Sequence, residues 1–224
     1  MSDAAEYEKK HVQEVYDVIA GHFSSTRHQR WPSVMDYIKA LPNNSVIADV
    51  GCGNGKYLGS NPECTFLGSD ASDEFVKICK DAGHTAIVAN VLQLPYENAS
   101  VDSFICIAML HHLSTVNRRR DAIVEMCRIL KPGCTGLIYV WSFEHGGQKK
   151  GKVVVKRDEQ DTLIEWNLDQ RFGVAEKHHR YYHMFKAGEL EALVFEANRV
   201  SECSITVKES GFDHQNWFVI IEKS

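Results

Sequence analysis

Three alternate glycines, Gly51, Gly53 and Gly55, follow the apolar run Val46-Ile47-Ala48-Asp49-Val50, and an acid, Asp70, ends a second short apolar run that starts at Thr65. Glycines at a strand end allow left-handed backbone and let a ligand approach with no Cβ in the way. An acid after the second strand suits a carboxylate that accepts two ribose hydroxyls. The loop lacks the Lys-Ser/Thr pair of a phosphate cradle, and its spacing is G-x-G-x-G, not the dinucleotide G-x-G-x-x-G. Asp49, just ahead of the glycines, would repel a pyrophosphate but suits a cation. A positively charged nucleoside fits this set, and the expectation is S-adenosylmethionine with its α-amino group held by Asp49.

Two more features agree with the loop. Asn90-Val91-Leu92-Gln93-Leu94-Pro95-Tyr96 follows a third short strand, and a fourth hydrophobic strand, Phe104 to Leu110, begins after Asp102. Four motifs in this order are far more restrictive than one, and over about residues 45 to 141 they resemble the class I S-adenosylmethionine-dependent methyltransferases. The resemblance implies cofactor contacts from Asp49, Gly51, Cys52, Gly53 and Gly55 in the loop, and from Asp70 and Ala71 after the second strand. Asn90 and Val91 after the third strand and Ala108 and Met109 after the fourth complete the set. That family commonly has Asp where Asn90 stands; the Asn90 carbonyl oxygen can still accept from an adenine amino group.

The elements that must position these residues follow from periodicity. Val12, Val15, Tyr16, Ile19 and Phe23 recur at helical spacing, and a second helix runs from Pro32 to Pro42 with Val34, Ile38 and Leu41 on one face. Strand and helix then alternate: strands at Ser45–Val50, Thr65–Gly68, Thr85–Ala89, Phe104–Met109 and Thr135–Trp141, with helices at Gly55–Ser60, Asp73–Ala82 and Asn117–Leu130. This pattern predicts an α/β, Rossmann-like class I methyltransferase fold: a mostly parallel seven-stranded sheet with helices on both faces. A last helix over Ala187–Ala197 precedes strands at Ser201–Lys208 and Trp217–Glu222, read as an antiparallel hairpin. The site is expected outside the carboxyl ends of the strands, where strand order reverses. The chain is read as one domain over 1–224: an N-terminal helical cap (1–44), the cofactor core (45–141), a basic substrate-side insertion (142–186), and a C-terminal helix and hairpin (187–224).

Composition fits one globular domain of ordinary size that can bury a full core: 224 residues, 44% hydrophobic. The longest apolar run is far below the roughly twenty residues needed to span a bilayer, and no basic-then-apolar leader opens the sequence, so no membrane partner is expected. Seven cysteines without a C-x-x-C pair argue against both a disulfide framework and a zinc site built by this chain. No metal is expected here, and the expected location is the cytoplasm, with a nuclear pool allowed.

Methyl transfer from a sulfonium is an in-line displacement, so an acceptor must be aligned and, if it carries a proton, met by a base. The segment after the fourth strand reads Ala108-Met109-Leu110-His111-His112-Leu113-Ser114, with neither an Asn/Asp-Pro-Pro-aromatic motif nor an attacking cysteine. Adjacent histidines point in different directions; His112 is taken as substrate-facing and His111 as a packing or loop-stabilising residue. The chain carries net charge −5, which by itself disfavours nucleic acid. Locally, residues 145–186 hold nine Lys/Arg against six Asp/Glu, and 118–131 hold five against two, led by Arg118-Arg119-Arg120. Basic side chains interleaved with aromatics, as at Lys177-His178-His179-Arg180-Tyr181-Tyr182, suit phosphates and unpaired bases. A solvated helix start and surface loop explain either patch equally well.

A more specific resemblance spans nearly the whole chain. His11 to Arg27 with Arg30-Trp31-Pro32, Ala108 to Thr115, and Arg180-Tyr181-Tyr182-His183-Met184-Phe185 with Gly188-Glu189-Leu190 closely resemble the eukaryotic tRNA wobble-uridine carboxymethyl methyltransferases. The resemblance implies esterification of a carboxymethyl group on carbon 5 of uridine in the tRNA anticodon loop. It also implies a small zinc-binding activator protein, forming a heterodimer at the sheet edge beside the third strand, so that any metal belongs to the partner. A carboxylic acid is ionised at pH 7 and needs no general base. Arg27, His112 and Arg180 are then the expected catalytic groups that hold the acceptor oxygen, with Trp31, Tyr181, Lys149, Lys150 and Lys152 on the substrate. Two other readings stay open at this point: an O-methyltransferase of a small carboxylate or hydroxyl metabolite, and a non-catalytic S-adenosylmethionine-binding scaffold.

Overall fold

The computed structural model describes residues 3–146, 154–156, 160–169, 171, 176–201 and 204–224. Its centre is a seven-stranded sheet of order β3-β2-β1-β4-β5-β10-β9. The strands are β1 (Val46–Val50), β2 (Thr65–Asp70), β3 (Ala86–Val88), β4 (Val101–Ile107), β5 (Leu130–Trp141), β9 (Ile205–Asp213) and β10 (Asn216–Lys223). The first five pair in parallel and β10 runs antiparallel between β5 and β9. Alternation along β4 explains the layering. Phe104 and Cys106 face the cluster packed by α5 (Val116–Ile129) and α7 (Glu189–Val200), whereas Ile105 and Ile107 face the cluster packed by α3 (Pro32–Ala40) and α4 (Asp73–Asp81).

The N-terminal helical cap is α1 (Asp3–Glu8), a π-helical stretch Lys9–Gln13, and α2 (Glu14–Thr26). The wider turn absorbs residues between Glu8 and Tyr16, and both side chains line one cavity. Glu8 latches the cap down: its carboxylate accepts from the Ser114 amide (2.7 Å), the Ser114 hydroxyl (2.9 Å) and Arg118 Nη2 (2.6 Å). Farther along, the Ser72 hydroxyl donates to Asp17 at 2.5 Å, tying α2 to the N-cap of α4.

Two expectations are corrected, and a third region gains structure. Gly55–Ser60 forms successive turns and no helix, with Gly55 and Gly59 at positive φ; left-handed residues interrupt the regular hydrogen-bond ladder. The segment 209–215 is mostly strand: β9 extends to Asp213 and turns on His214 and Gln215 alone, both at positive φ (45° and 69°), as a tight hairpin turn requires. Within 142–186 the described residues form a one-turn helix, α6 (Phe143–Gly146), and a second, antiparallel sheet of β6 (Val154–Lys156), β7 (Asp161–Asn167) and β8 (Lys177–His183). His183 fastens this sheet to α7, its ring nitrogens 2.7 Å from Asp161 Oδ1 and 2.6 Å from Glu189 Oε1.

Candidate active site

The carboxyl ends of β1, β2 and β4 meet where strand order reverses, and a cavity of about 960 Å³ opens there. Its floor is the glycine turn, and the three glycines have three separate duties. Gly51 has φ +76°, and a Cβ on it would lie 2.4 Å from Met109 Cγ, so the turn presses against the segment after β4. A Cβ on Gly53 would meet no atom within 4 Å; the space it would fill belongs to the cavity. Gly55 packs inward, where a Cβ would come within 2.8 Å of Cys79 Sγ. It does not line the cavity.

Asp70 braces this turn. Its Oδ2 accepts from the Gly53 amide at 2.8 Å and its Oδ1 from the Ser72 amide at 2.9 Å, which leaves lone pairs on both oxygens for a diol. Asp49 is 2% exposed, and its Oδ2 has no partner among the described residues. Burial pushes the Asp49 carboxyl up to about 7, with Asp70 adding to the rise and Lys56 opposing it. Asp49 does not itself line the cavity, whereas the next two residues, Val50 and Gly51, do; a buried carboxylate oxygen without a donor just behind that lining suits a ligand ammonium group. Cys52, Ala71, Val91, Ala108 and Met109 all line the cavity, Ala108 in the left-handed region at φ 59°. Asn90 lines it too, but its Oδ1 already accepts from the Leu92 amide at 3.0 Å, so one lone pair remains for an adenine amino group.

The opposite half of the cavity holds Arg180, Tyr182, Tyr16, His112, His111, Trp141 and Ser142. Arg180 is 2% exposed. Its Nη1 donates to Tyr16 Oη at 3.1 Å, whereas Nε and Nη2 have no partner among the described residues. The guanidinium lies 4.7 Å from the Trp166 ring and 5.3 Å from that of Tyr182. Burial works against its charge, but Tyr182 and Tyr16 outweigh it and the pKa is raised, so Arg180 is a cation at every working pH.

His112 lines the cavity and is not a cation. Burial lowers its pKa to about 3, and both ring nitrogens are taken, Nδ1 by the Tyr181 carbonyl at 2.8 Å and Nε2 by Tyr16 Oη at 3.0 Å. His111 accepts at Nδ1 from the Trp141 amide at 3.2 Å, in keeping with a loop-stabilising role.

Tyr181 is corrected outright. It is fully buried, its hydroxyl donates to Asp161 Oδ1 at 2.7 Å, and it does not line the cavity. Alternation along β8 sends Arg180 and Tyr182 to one face and Tyr181 to the other.

Arg27, just past the end of α2, lies over Trp166 at 5.4 Å and lines the cavity. Trp31 lines the cavity with Lys56 Nζ 5.0 Å from its ring. The Arg118–Arg120 triplet is used internally: Arg118 holds Glu8, Arg119 donates to the Leu113 carbonyl at 2.9 Å, and Arg120 pairs with Asp121. Lys149, Lys150 and Lys152 lie outside the described residues. Tyr16, Tyr182, Lys56 and Ser142 were not singled out from sequence as site residues; alternation in β8 was the one available signal, and it pointed to Tyr182.

Comparison with known proteins agrees with this geometry. Residues 48–138 match the model of a methyltransferase domain. A tRNA (carboxymethyluridine(34)-5-O)-methyltransferase of Schizosaccharomyces pombe is 37% identical, covering 98% of this chain and 99% of its own length. The protein tRNA (carboxymethyluridine(34)-5-O)-methyltransferase alkbh8 of Xenopus tropicalis is 36% identical over 98% of this chain, which spans 42% of that protein's length. In three dimensions, an S-adenosylmethionine-dependent methyltransferase from Clostridium acetobutylicum superposes with a TM-score of 0.68 at 12% identity, covering 92% of this chain and 98% of that one. The last likeness establishes the class I methyltransferase fold. The full-length match to the fission-yeast protein goes further, and the chain belongs to the tRNA (carboxymethyluridine(34)-5-O)-methyltransferase family.

Proposed function

We propose that the chain esterifies the carboxylate of 5-carboxymethyluridine at the tRNA wobble position, with S-adenosylmethionine as methyl donor. The observation that carries this reading is Arg180, a buried cation with two unpartnered donor nitrogens in the cavity that the glycine turn floors. When bound, S-adenosylmethionine supplies an electrophilic methyl group on a sulfonium. Asp49 and the open face of Gly53 suit its charged amino-acid end, and Asp70 suits its ribose.

The groups on the acceptor side favour a carboxylate over a hydroxyl. A hydroxyl would need a base, and His112, with its pKa near 3, is too weak to take a proton at neutral pH. An ionised carboxylate needs none. It needs dehydration and orientation, which the Tyr16, Tyr182 and Trp141 walls and the free edge of Arg180 provide. Lys9, Arg27 and Arg30 at the cavity lining form a basic rim suited to the phosphates flanking a splayed nucleotide.

The same reading includes a heterodimer with a small zinc-binding activator. It is supported by β3, an edge strand of three residues whose Ile87 and Val88 are exposed, an apolar edge that invites cover. A cytoplasmic location, with a nuclear pool allowed, goes with it.

The test is mass spectrometry of anticodon nucleosides after the chain, its activator, S-adenosylmethionine and tRNA carrying the free acid are incubated together. The methyl ester is the expected product, and its yield should fall steeply with salt as phosphate contacts release counterions. Free acid left unchanged while the cofactor binds would sink the proposal.

A further inference from the structure

We infer that His111, and not His112, presents the imidazole N–H that orients the acceptor carboxylate, with His112 positioning Tyr16 and Arg180 behind it. The inference rests on the acceptor assigned above and adds a residue that the sequence reads as packing or loop-stabilising.

The tautomers follow from the partners. A backbone amide can only donate, so the 3.2 Å contact from the Trp141 amide makes His111 Nδ1 an acceptor. A neutral imidazole carries one proton, which then sits on Nε2. Neutrality follows from burial, reinforced by His112 and Arg180 nearby, which hold the pKa well below the ordinary imidazole value. His111 lines the cavity, and its Nε2 has no protein acceptor among the described residues.

His112 is the reverse case. The Tyr181 carbonyl can only accept, so the proton is on Nδ1, and Nε2 must accept from Tyr16 Oη. Tyr16 Oη, its proton committed to His112, then accepts from Arg180 Nη1 at 3.1 Å and from Tyr182 Oη at 3.2 Å. This chain fixes one edge of Arg180 and leaves Nε and Nη2 unengaged.

Among the described residues, the buried groups of this part of the cavity without a partner are Arg180 Nε and Nη2 and the Ser142 hydroxyl, one residue beyond Trp141; His111 Nε2, whose ring is engaged only through Nδ1, joins them as a fourth. Arg180 and His111 both pack on the Tyr182 ring, at 5.3 and 5.0 Å, and all three residues line the same cavity. Three of these four atoms are obligate donors and Ser142 can be one, a set that matches an oxyanion.

The decisive comparison is His111→Gln against His111→Asn in the activator complex. Gln places an amide nitrogen near the Nε2 position and loses the Nδ1 acceptor. Asn keeps an acceptor for the Trp141 amide and has no atom where Nε2 lay. If His111 contacts the substrate, Gln retains kcat/KM for tRNA within about 10-fold, and Asn loses about 100-fold or more, as expected for a hydrogen bond to a charged group. S-adenosylmethionine affinity and melting temperature should stay near wild type in both. An active Asn variant with an inactive Gln variant means that the Trp141 contact is what matters, and it overturns the inference; equal behaviour of the two does the same.

A measurement on the wild-type protein guards against misfolding. On addition of 5-carboxymethyluridine to the cofactor-product complex, the ¹⁵N-histidine Nε2–H resonance of His111 should shift while the Nδ1–H of His112 stays put; a shift of His112 alone overturns the inference. Wild-type enzyme that makes no ester removes the acceptor assignment itself, a failure distinct from reversal of the two variants.

Discussion

Replacing Arg180 by Met separates what this residue does for folding from what it does for the reaction. The wild-type guanidinium is 2% exposed and, among the described residues, donates to Tyr16 at 3.1 Å, with contacts to three aromatic rings. Losing the charged hydrogen bond costs about 1.5–3 kcal/mol, and losing desolvated cation–π contacts about 2 kcal/mol more. Against that, two unsatisfied donors disappear, each worth about 1–3 kcal/mol, and Met fills much of the stem volume. The opposing sums nearly cancel, so the free protein should keep its stability within about 2 kcal/mol, well short of the roughly 3–5 kcal/mol lost when a fully paired buried charge is broken. Activity should fall by far more. A carboxylate stripped of water and deprived of its buried partner loses about 3–5 kcal/mol, on the order of 10²–10³-fold or more in kcat/KM for tRNA. The assays are denaturant titration, calorimetric cofactor affinity and steady-state tRNA methylation. A variant that unfolds, or one that methylates tRNA at the wild-type rate, refutes the reasoning.

The glycine turn gives a paired prediction. Gly51→Ala should lose about 2–4 kcal/mol of stability, from the collision with Met109 and the left-handed φ together; Gly53→Ala should lose only about 1 kcal/mol yet weaken S-adenosylmethionine binding, read by melting and calorimetry side by side. Tyr16→Phe should lower tRNA methylation about 10-fold or more with little change in cofactor affinity, because Arg180, His112 and Tyr182 lose their shared hydroxyl. The Asp49 carboxyl, raised to about 7 in the folded protein from the ordinary 3.8, binds its proton more tightly folded than unfolded. Its contribution to stability is thus fully present below pH 3.8 and lost as pH rises through about 7. Cofactor binding needs the ionised form and should tighten over that same upper range, a dependence that Asp49→Asn abolishes. His183 has a raised pKa because hydrogen bonds to Asp161 and Glu189 outweigh burial. It stabilises the fold below the ordinary imidazole value, and this contribution is lost as pH rises through its raised value, which His183→Gln should flatten in melts taken across pH.

How much of this was readable from the sequence depends on the kind of signal. The β1–β5 core and its turn were legible because Val46–Val50 and Phe104–Ile107 are buried on both faces, and the glycines and Asp70 are tied to fixed strand ends. The Gly55–Ser60 helix failed because helical alternation was extended through residues whose positive φ forbids it. The β6–β8 sheet was missed for a different reason: its charged residues, among them Glu165, Lys177 and Arg180, conceal the alternation that Ile164, Trp166 and Tyr182 would otherwise show. With β8 a strand, Arg180 and Tyr181 face opposite sides, and only Arg180 lines the cavity. Tyr16 read as one more apolar position on α2. Its hydroxyl acquires meaning only when folding brings it to His112, 96 positions along the chain.

The carboxylate of Glu8 has a consequence for any shortened version of this protein. It stands at the junction of α1 and the π-helical stretch, yet the groups it satisfies belong to the start of α5 and the segment just before it. Trimming the chain to begin after Gln13 would strand the Arg118 guanidinium and the Ser114 amide together and unroof the chamber over the methyl donor. Water would then reach the place where the acceptor must be dry, so such a fragment should still capture the donor while turning over poorly.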